Sequence, residues 1–177
     1  MQVRRPRAIF VRPAPGSIAQ ARVALAHGVR PAALGRSGIR ALKREGDGGT
    51  PFGRFAVRQV LYRRDRMGRP RTVLPLRAIR GGDGWCEDPK DRNYNRLVRL
   101  SPRSTADRLK RDDHLYDLVL VLGYNDRPRV KGRGSAIFVH LARPGNAPTA
   151  GCIALSRHDL IMLLKQVRRR TQIVVTR

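Results

Sequence analysis

A histidine and a cysteine on either side of a Pro/Gly-rich loop carry the chemistry that this sequence can do. In IFVHLARPGNAPTAGCIALS, residues 137–156, a β-prone apolar run ends on His140, and Gly151-Cys152 opens a second apolar segment. A thiol becomes a nucleophile near neutral pH when a neighbouring imidazole takes its proton. A base on a strand end and a sulfur displayed by a loop is one layout that brings such a pair together. Gly151 lets the backbone approach a substrate closely, and its N–H with that of Cys152 can converge on a developing oxyanion. The competing reading is a small buried hydrophobe, the commoner fate of a lone cysteine. The residues alone leave both open.

Other polar side chains compete for roles nearby. His158 is a reserve base that would need the following helix start to fold back on the thiol. His114, in RDDHLYD, reads as a loop or strand-edge histidine within a carboxylate cluster. Arg143 and Arg157 offer planar donor forks to a substrate carboxylate, although arginine is so frequent here that simple solvation competes. RGGDGWCEDPKDRNYN, residues 80–95, is a long stretch without evident secondary structure, as lids and binding loops are. Trp85, Tyr94 and Asn95 are therefore candidates to line a groove, against the plainer reading in which an aromatic pins its own loop. Cys86 has no base beside it and reads as structural; a disulfide between Cys86 and Cys152 would silence the thiol. No spacing suggests a zinc site, and no metal ligands are assigned.

Positioning a reactive pair is the task of a sheet. The apolar runs are short and separated by turn residues, the pattern of a mainly β chain. Strands are predicted over 7–12, 21–26, 38–43, 54–62, 115–122, 135–141 and 172–176, with loops at GDGGTPFG (46–53) and at 80–95. One helix has clear punctuation. Ser156 and Asp159 form an S-x-x-D capping box, and Leu160, Ile161, Leu163, Leu164 and Val167 supply an apolar face. Lys165 and Arg168 to Arg170 crowd the end where the helix dipole favours cations. A weaker helix is predicted around 104–110. The fold class is mainly β, with a few short helices, one of them immediately after Cys152.

The 177 residues are enough for one domain with its own core. Aliphatic runs exclude wholesale disorder, and two cysteines are too few for a disulfide scaffold. No window approaches the roughly 18 continuous apolar residues of a membrane span. The basic N-terminal stretch is interrupted by Arg12 and Pro13 before a signal-peptide hydrophobic core can form, so no secretion signal is expected. With 38 lysines and arginines against 13 acidic residues, the net charge is +25, a surface that attracts nucleic acid, anionic lipid or an acidic wall polymer. The arginines are spread along the chain rather than gathered in a tail. That distribution implies non-specific electrostatic affinity for nucleic acid, not a dedicated binding function.

His140 followed by Thr149-Ala150-Gly151-Cys152-Ile153 resembles the signature of the L,D-transpeptidase catalytic domain (the YkuD-type family), in which a strand-borne histidine precedes a Ser/Thr-x-Gly-Cys motif. GGTPFGRF, residues 48–55, resembles that family's T-P-x-G-x-F element, and SAIFVH, residues 135–140, its G-x-x-I-x-I/L-H strand. The matches stand in the family's order and cover about residues 35–165. The resemblance implies a mostly antiparallel, β-sandwich-like sheet with small flanking helices in a single catalytic domain over 1–177. It also implies two-step acyl transfer on peptidoglycan stem peptides or muropeptides, with no metal or organic cofactor. Carried over, Cys152 is the nucleophile, His140 the general base and later the acid, and the Gly151 and Cys152 N–H groups the oxyanion hole. The family points to the cell envelope or periplasm; without a visible export signal a cytoplasmic alternative stays open.

Two positions depart from the family pattern. Many members have His where Ala150 stands and Arg where Ala154 stands. The arginine's part in holding the substrate end is therefore unassigned, and Arg143 and Arg157 are the nearby candidates. Two rival readings also stay open. The acyl-enzyme can pass to water, as in an L,D-carboxypeptidase or amidase, or the chain can be a non-catalytic basic module that binds wall polymer or nucleic acid.

Overall fold

The computed structural model describes residues 7–101 and 106–177. The chain opens with β1 (Ala8–Pro13), β2 (Gln20–Leu25), β3 (Gly28–Ala33), β4 (Ile39–Arg40), β5 (Thr50–Pro51) and β6 (Gly53–Tyr62). It continues with β7 (Leu76–Ala78), β8 (Asp83–Cys86), β9 (Arg96–Arg99), β10 (Asp107–Arg108), β11 (Leu118–Leu122) and β12 (Phe138–Leu141). Then come β13 (Ile153–Leu155), helix α1 (Arg157–Gln166) and β14 (Gln172–Val175).

Alternation explains the longer strands. In β2, Ala21, Val23 and Leu25 are buried while Arg22 and Ala24 are exposed, the period of two that turns one face inward. β11 is buried at every position, as its unbroken LVLVL run requires. Strands β11-β12-β13-β3-β2-β1-β14-β6 are hydrogen-bonded in that order, and β6 pairs back onto β11. Eight strands thus close into a mixed, barrel-like ring. β6 is long enough to hold β14 along its first half and β11 along its second, with β7 added in parallel beyond the end of β14. The pairs β1·β14 and β12·β13 are parallel.

The main core lies within this ring and under α1. It includes Ile9, Val11, Val23, Val57, Leu118, Leu120, Val139, Ile153, Leu155 and Ile173, closed by Leu160, Leu163, Leu164 and Val167 of the helix. Ser156 caps the helix as the sequence predicts, but the reciprocal half of the box is replaced by a side-chain bond: Ser156 Oγ accepts the Asp159 N–H at 3.1 Å and donates to Asp159 Oδ2 at 2.7 Å. A second cluster forms on the opposite face of β6, β11 and β12, where Leu61, Val119, Val121 and Phe138 meet Trp85, Leu109 and Tyr116. The small sheet β10-β8-β9 supplies that cover.

Three expectations change. The stretch 80–95 is not structureless, because Asp83–Cys86 is a strand paired on both sides. The helix expected around 104–110 is not formed over its described part: Asp107–Arg108 is strand β10, and residues 102–105 lie outside the described residues. The strand expected over 38–43 forms only as Ile39–Arg40, and β3, which no expected strand covered, contains Pro31, a residue that cannot donate to a ladder. β3 tolerates it because β13 is paired to β3 only at Ala33↔Ala154, which leaves Pro31 with a single neighbouring strand. Among the described residues no helix is long and apolar enough to cross a membrane.

Candidate active site

Cys152 lies immediately before β13, and the parallel register Val139↔Ile153, His140↔Ala154, Leu141↔Leu155 decides which way it faces. Residues two apart share a face of a strand. Val139, Leu141, Ile153 and Leu155 enter the main core, so Phe138, His140, Cys152 and Ala154 turn to the other side. A loop of small residues before β13 is therefore enough to bring the thiol to the histidine's face of the sheet.

Glycine backbones hold that loop. Gly151 has φ +149°, and a Cβ there would stand 2.8 Å from the Gly49 carbonyl oxygen. At Gly35 a Cβ would stand 2.2 Å from the Gly48 oxygen and 3.0 Å from the Gly151 Cα. Three turns thus pack backbone against backbone, which side chains would prevent. Thr50, fully buried, accepts the Gly35 N–H at 2.8 Å, while Thr149 N–H donates to Leu34 O at 2.8 Å and Arg36 N–H to Thr149 O at 2.9 Å. The GGTPFG stretch is the floor under the cysteine loop.

The thiol is 8 % exposed. Its S–H donates to Ala136 O at 3.1 Å, and the sulfur accepts the Phe138 N–H at 3.4 Å. Burial pushes it up to about 12, only partly relieved by the Phe138 N–H. Thr149 Oγ1 donates to Cys152 O at 2.7 Å and accepts the Gly151 N–H at 3.1 Å. The Gly151 amide is therefore engaged. The Cys152 amide has no hydrogen-bond partner among the described residues.

His140 is 6 % exposed. Its Nδ1 lies 2.8 Å from the Leu141 carbonyl oxygen, which can only accept, so Nδ1 carries the proton. The neutral ring then has its lone pair on Nε2, which has no partner among the described residues. Burial drives the imidazole down to about 4. Tyr116 meets the ring edge-on at 5.4 Å, and its hydroxyl is 3.1 Å from Asp107 Oδ2.

Cys152 and His140 line one cavity of about 600 Å³. Ala154, Gly151, Thr149 and Tyr116 share its wall with four cations, Arg36, Lys43, Arg111 and Arg143, and three acids, Glu45, Glu87 and Asp107. None of these acids stood out in the sequence. They come from three separate segments, and the only signal was the scarcity of acids in so basic a chain. Among the described residues no three His, Cys, Asp or Glu side chains are grouped as a metal site would require.

The cavity takes in some of the residues nominated from sequence and leaves out others. Arg143 is on its wall. Arg157 is not; it sits 3.4 Å from Asp117, which also meets Arg66 at 3.1 Å and His114 at 2.8 Å. Trp85, Tyr94 and Asn95 are 7 %, 2 % and 4 % exposed and stand behind the wall rather than on it. Asn95 Oδ1 accepts from Trp85 Nε1 at 2.9 Å and from the Ala136 N–H at 3.2 Å, fixing the residue whose carbonyl holds the thiol. Tyr94 donates to Glu45. Cys86 and Cys152 are both free, and His158 is exposed and outside the cavity.

A family model described as the L,D-transpeptidase catalytic domain (YkuD) matches residues 9–175. No curated protein matches the chain.

Proposed function

The chain belongs to the L,D-transpeptidase catalytic domain family, and from that premise we propose that it is a cysteine acyltransferase acting on peptidoglycan stem peptides. Cys152 is the nucleophile and His140 its base. The observation that carries this reading is the fixed tautomer of His140: Nδ1–H is spent on Leu141, and the free Nε2 belongs to a residue lining the same cavity as the thiol.

The resting pair is neutral, so proton transfer accompanies attack. As sulfur bonds to the scissile carbonyl carbon, Nε2 takes the thiol proton and the Ala136 carbonyl is released. The oxyanion forms beside the unpartnered Cys152 N–H. Collapse breaks the amide C–N bond, the imidazolium protonates the departing D-amino acid, and a thioester remains. An acceptor amine then attacks, gives its proton to His140, and expels the thiol. Residues 1–177 act as one catalytic unit, and the substrate sets its place of work in the cell envelope.

The test is intact-protein mass after incubation with a disaccharide-tetrapeptide muropeptide. The expected result is an acyl adduct on the unaltered protein, none on Cys152→Ala, and release as cross-linked dimer when acceptor is in excess. Release only to water would replace transfer by the carboxypeptidase reaction. No adduct at all would leave a basic binding module.

A further inference from the structure

Glu87 is out of place in two ways. It lines the cavity of Cys152 and His140, half-buried, yet among the described residues no hydrogen bond or ion pair engages its carboxyl. A carboxylate withdrawn from water without a partner is costly. The chain has 38 lysines and arginines against 13 acids, and cations of its own line the same cavity, but none meets Glu87. Lys43 is spent on Asp47 Oδ1 at 2.7 Å and on Arg44 O at 3.1 Å. Arg111 is spent on Asp113 at 2.7 Å.

The small sheet places a second acid beside it. Asp107 is paired with Trp85 across β8 and β10, Glu87 stands just past the end of β8, and both acids line the same cavity. Asp107 takes the Tyr116 hydroxyl at 3.1 Å and Arg111 only at 3.5 Å. Like charges so arranged repel, and burial together with Asp107 and Glu45 pushes the Glu87 carboxyl up to about 7. The fold maintains that repulsion although any one of many arginines could relieve it. The His140 side chain, more than nine-tenths buried with Nε2 unpaired, makes the same cavity a ligand site on independent grounds.

We infer that Glu87, supported by Asp107, binds a primary ammonium group on the peptide substrate while Cys152 attacks the scissile carbonyl. The site reads a positive charge on the acyl donor, and the missing cation is supplied by the substrate. This inference rests on the proposed acyl-transfer reading and adds the group that the cavity selects.

The experiment compares two tetrapeptides ending in D-alanine whose preceding residue is L-lysine, one with the side-chain amine free and one with it acetylated. Calorimetric binding is measured on Cys152→Ala protein with Glu87 intact and with Glu87→Gln or Glu87→Lys added. Acyl adducts are followed in parallel by mass on proteins that retain Cys152. The free amine is expected to bind about tenfold or more tightly than the acetylated one. That ratio should fall to near one with Glu87→Gln and invert with Glu87→Lys. A ratio of one in the starting protein, or one unchanged by both substitutions, overturns the inference while adducts keep the acyl-transfer reading. A Glu87-dependent ratio without any adduct keeps the cation site and removes acyl transfer. No binding of either peptide and no adduct remove both.

Discussion

Cys152 and His140 both rest uncharged, the thiol pushed up to about 12 and the imidazole down to about 4 by burial in the same wall. A preformed thiolate–imidazolium pair would alkylate fast and level off near neutral pH. Here alkylation of the free protein by iodoacetamide should be at least about tenfold slower than that of a small thiol at pH 7 and keep rising through pH 9. Early saturation would contradict the neutral pair. The imidazole also links stability to pH. Its folded value is below its ordinary one, so the native state binds fewer protons and is penalised as pH falls. The stability present above about pH 6.5 should be lost between there and pH 4, by about 3 kcal/mol from this group. Glu87 works in the opposite sense, because its raised value favours the folded state at low pH. The informative quantity is therefore the difference between the unaltered protein and His140→Gln in urea denaturation across that range. The variant should have the flatter profile. The same substitution should lower the rate of acyl-adduct formation by about 10²–10⁴.

At the scale of elements, the cysteine loop depends on close backbone contacts, and Gly151→Ala tests them. The added methyl meets the Gly49 carbonyl in a backbone region that L residues rarely adopt. A loss of about 1–3 kcal/mol in chemical denaturation is expected, together with slower adduct formation as the loop shifts. Asn95→Ala should act from behind the wall by freeing the Ala136 N–H and Trp85 Nε1, at about 2–3 kcal/mol. If Asn95 contacted substrate instead, its variant would change peptide preference at unchanged stability. The sequence made β11 visible because its LVLVL run is unbroken, β6 because its apolar residues recur along ten positions, and α1 because Ser156 and Asp159 punctuate it. It hid β8 and β10, which are short, contain glycine and charge, and are held in place by burial against Phe138 and Val121 rather than by any local preference. For the same reason Trp85 and Asn95 looked like groove residues and the acids around Cys152 went unnoticed. His140 and Cys152 were legible because they stand close in sequence; Glu45, Glu87 and Asp107 become neighbours only through pairing that no local window contains.

For the molecule as a whole, a net charge of +25 should concentrate an acidic wall polymer at the surface without affecting the bond-breaking step. The rate on intact polymer should therefore fall several-fold between about 0.05 and 0.5 M salt, where the screening length shrinks to a few ångströms. A short soluble peptide should lose much less. Equal salt dependence for both, or none for the polymer, would remove the electrostatic account. Ring closure has a further consequence, during synthesis. β14 is inserted between β1 and β6, so the wall that carries Cys152 and His140 belongs to a ring completed only when residues 172–175 arrive. A growing chain holds both residues before the last stave of the barrel exists, because Gln172 follows Cys152 by twenty positions, and such non-local pairing is slow to form. Cys152 is thus made before the ring that positions it can close, and at that point in synthesis it is a thiol without its surrounding wall.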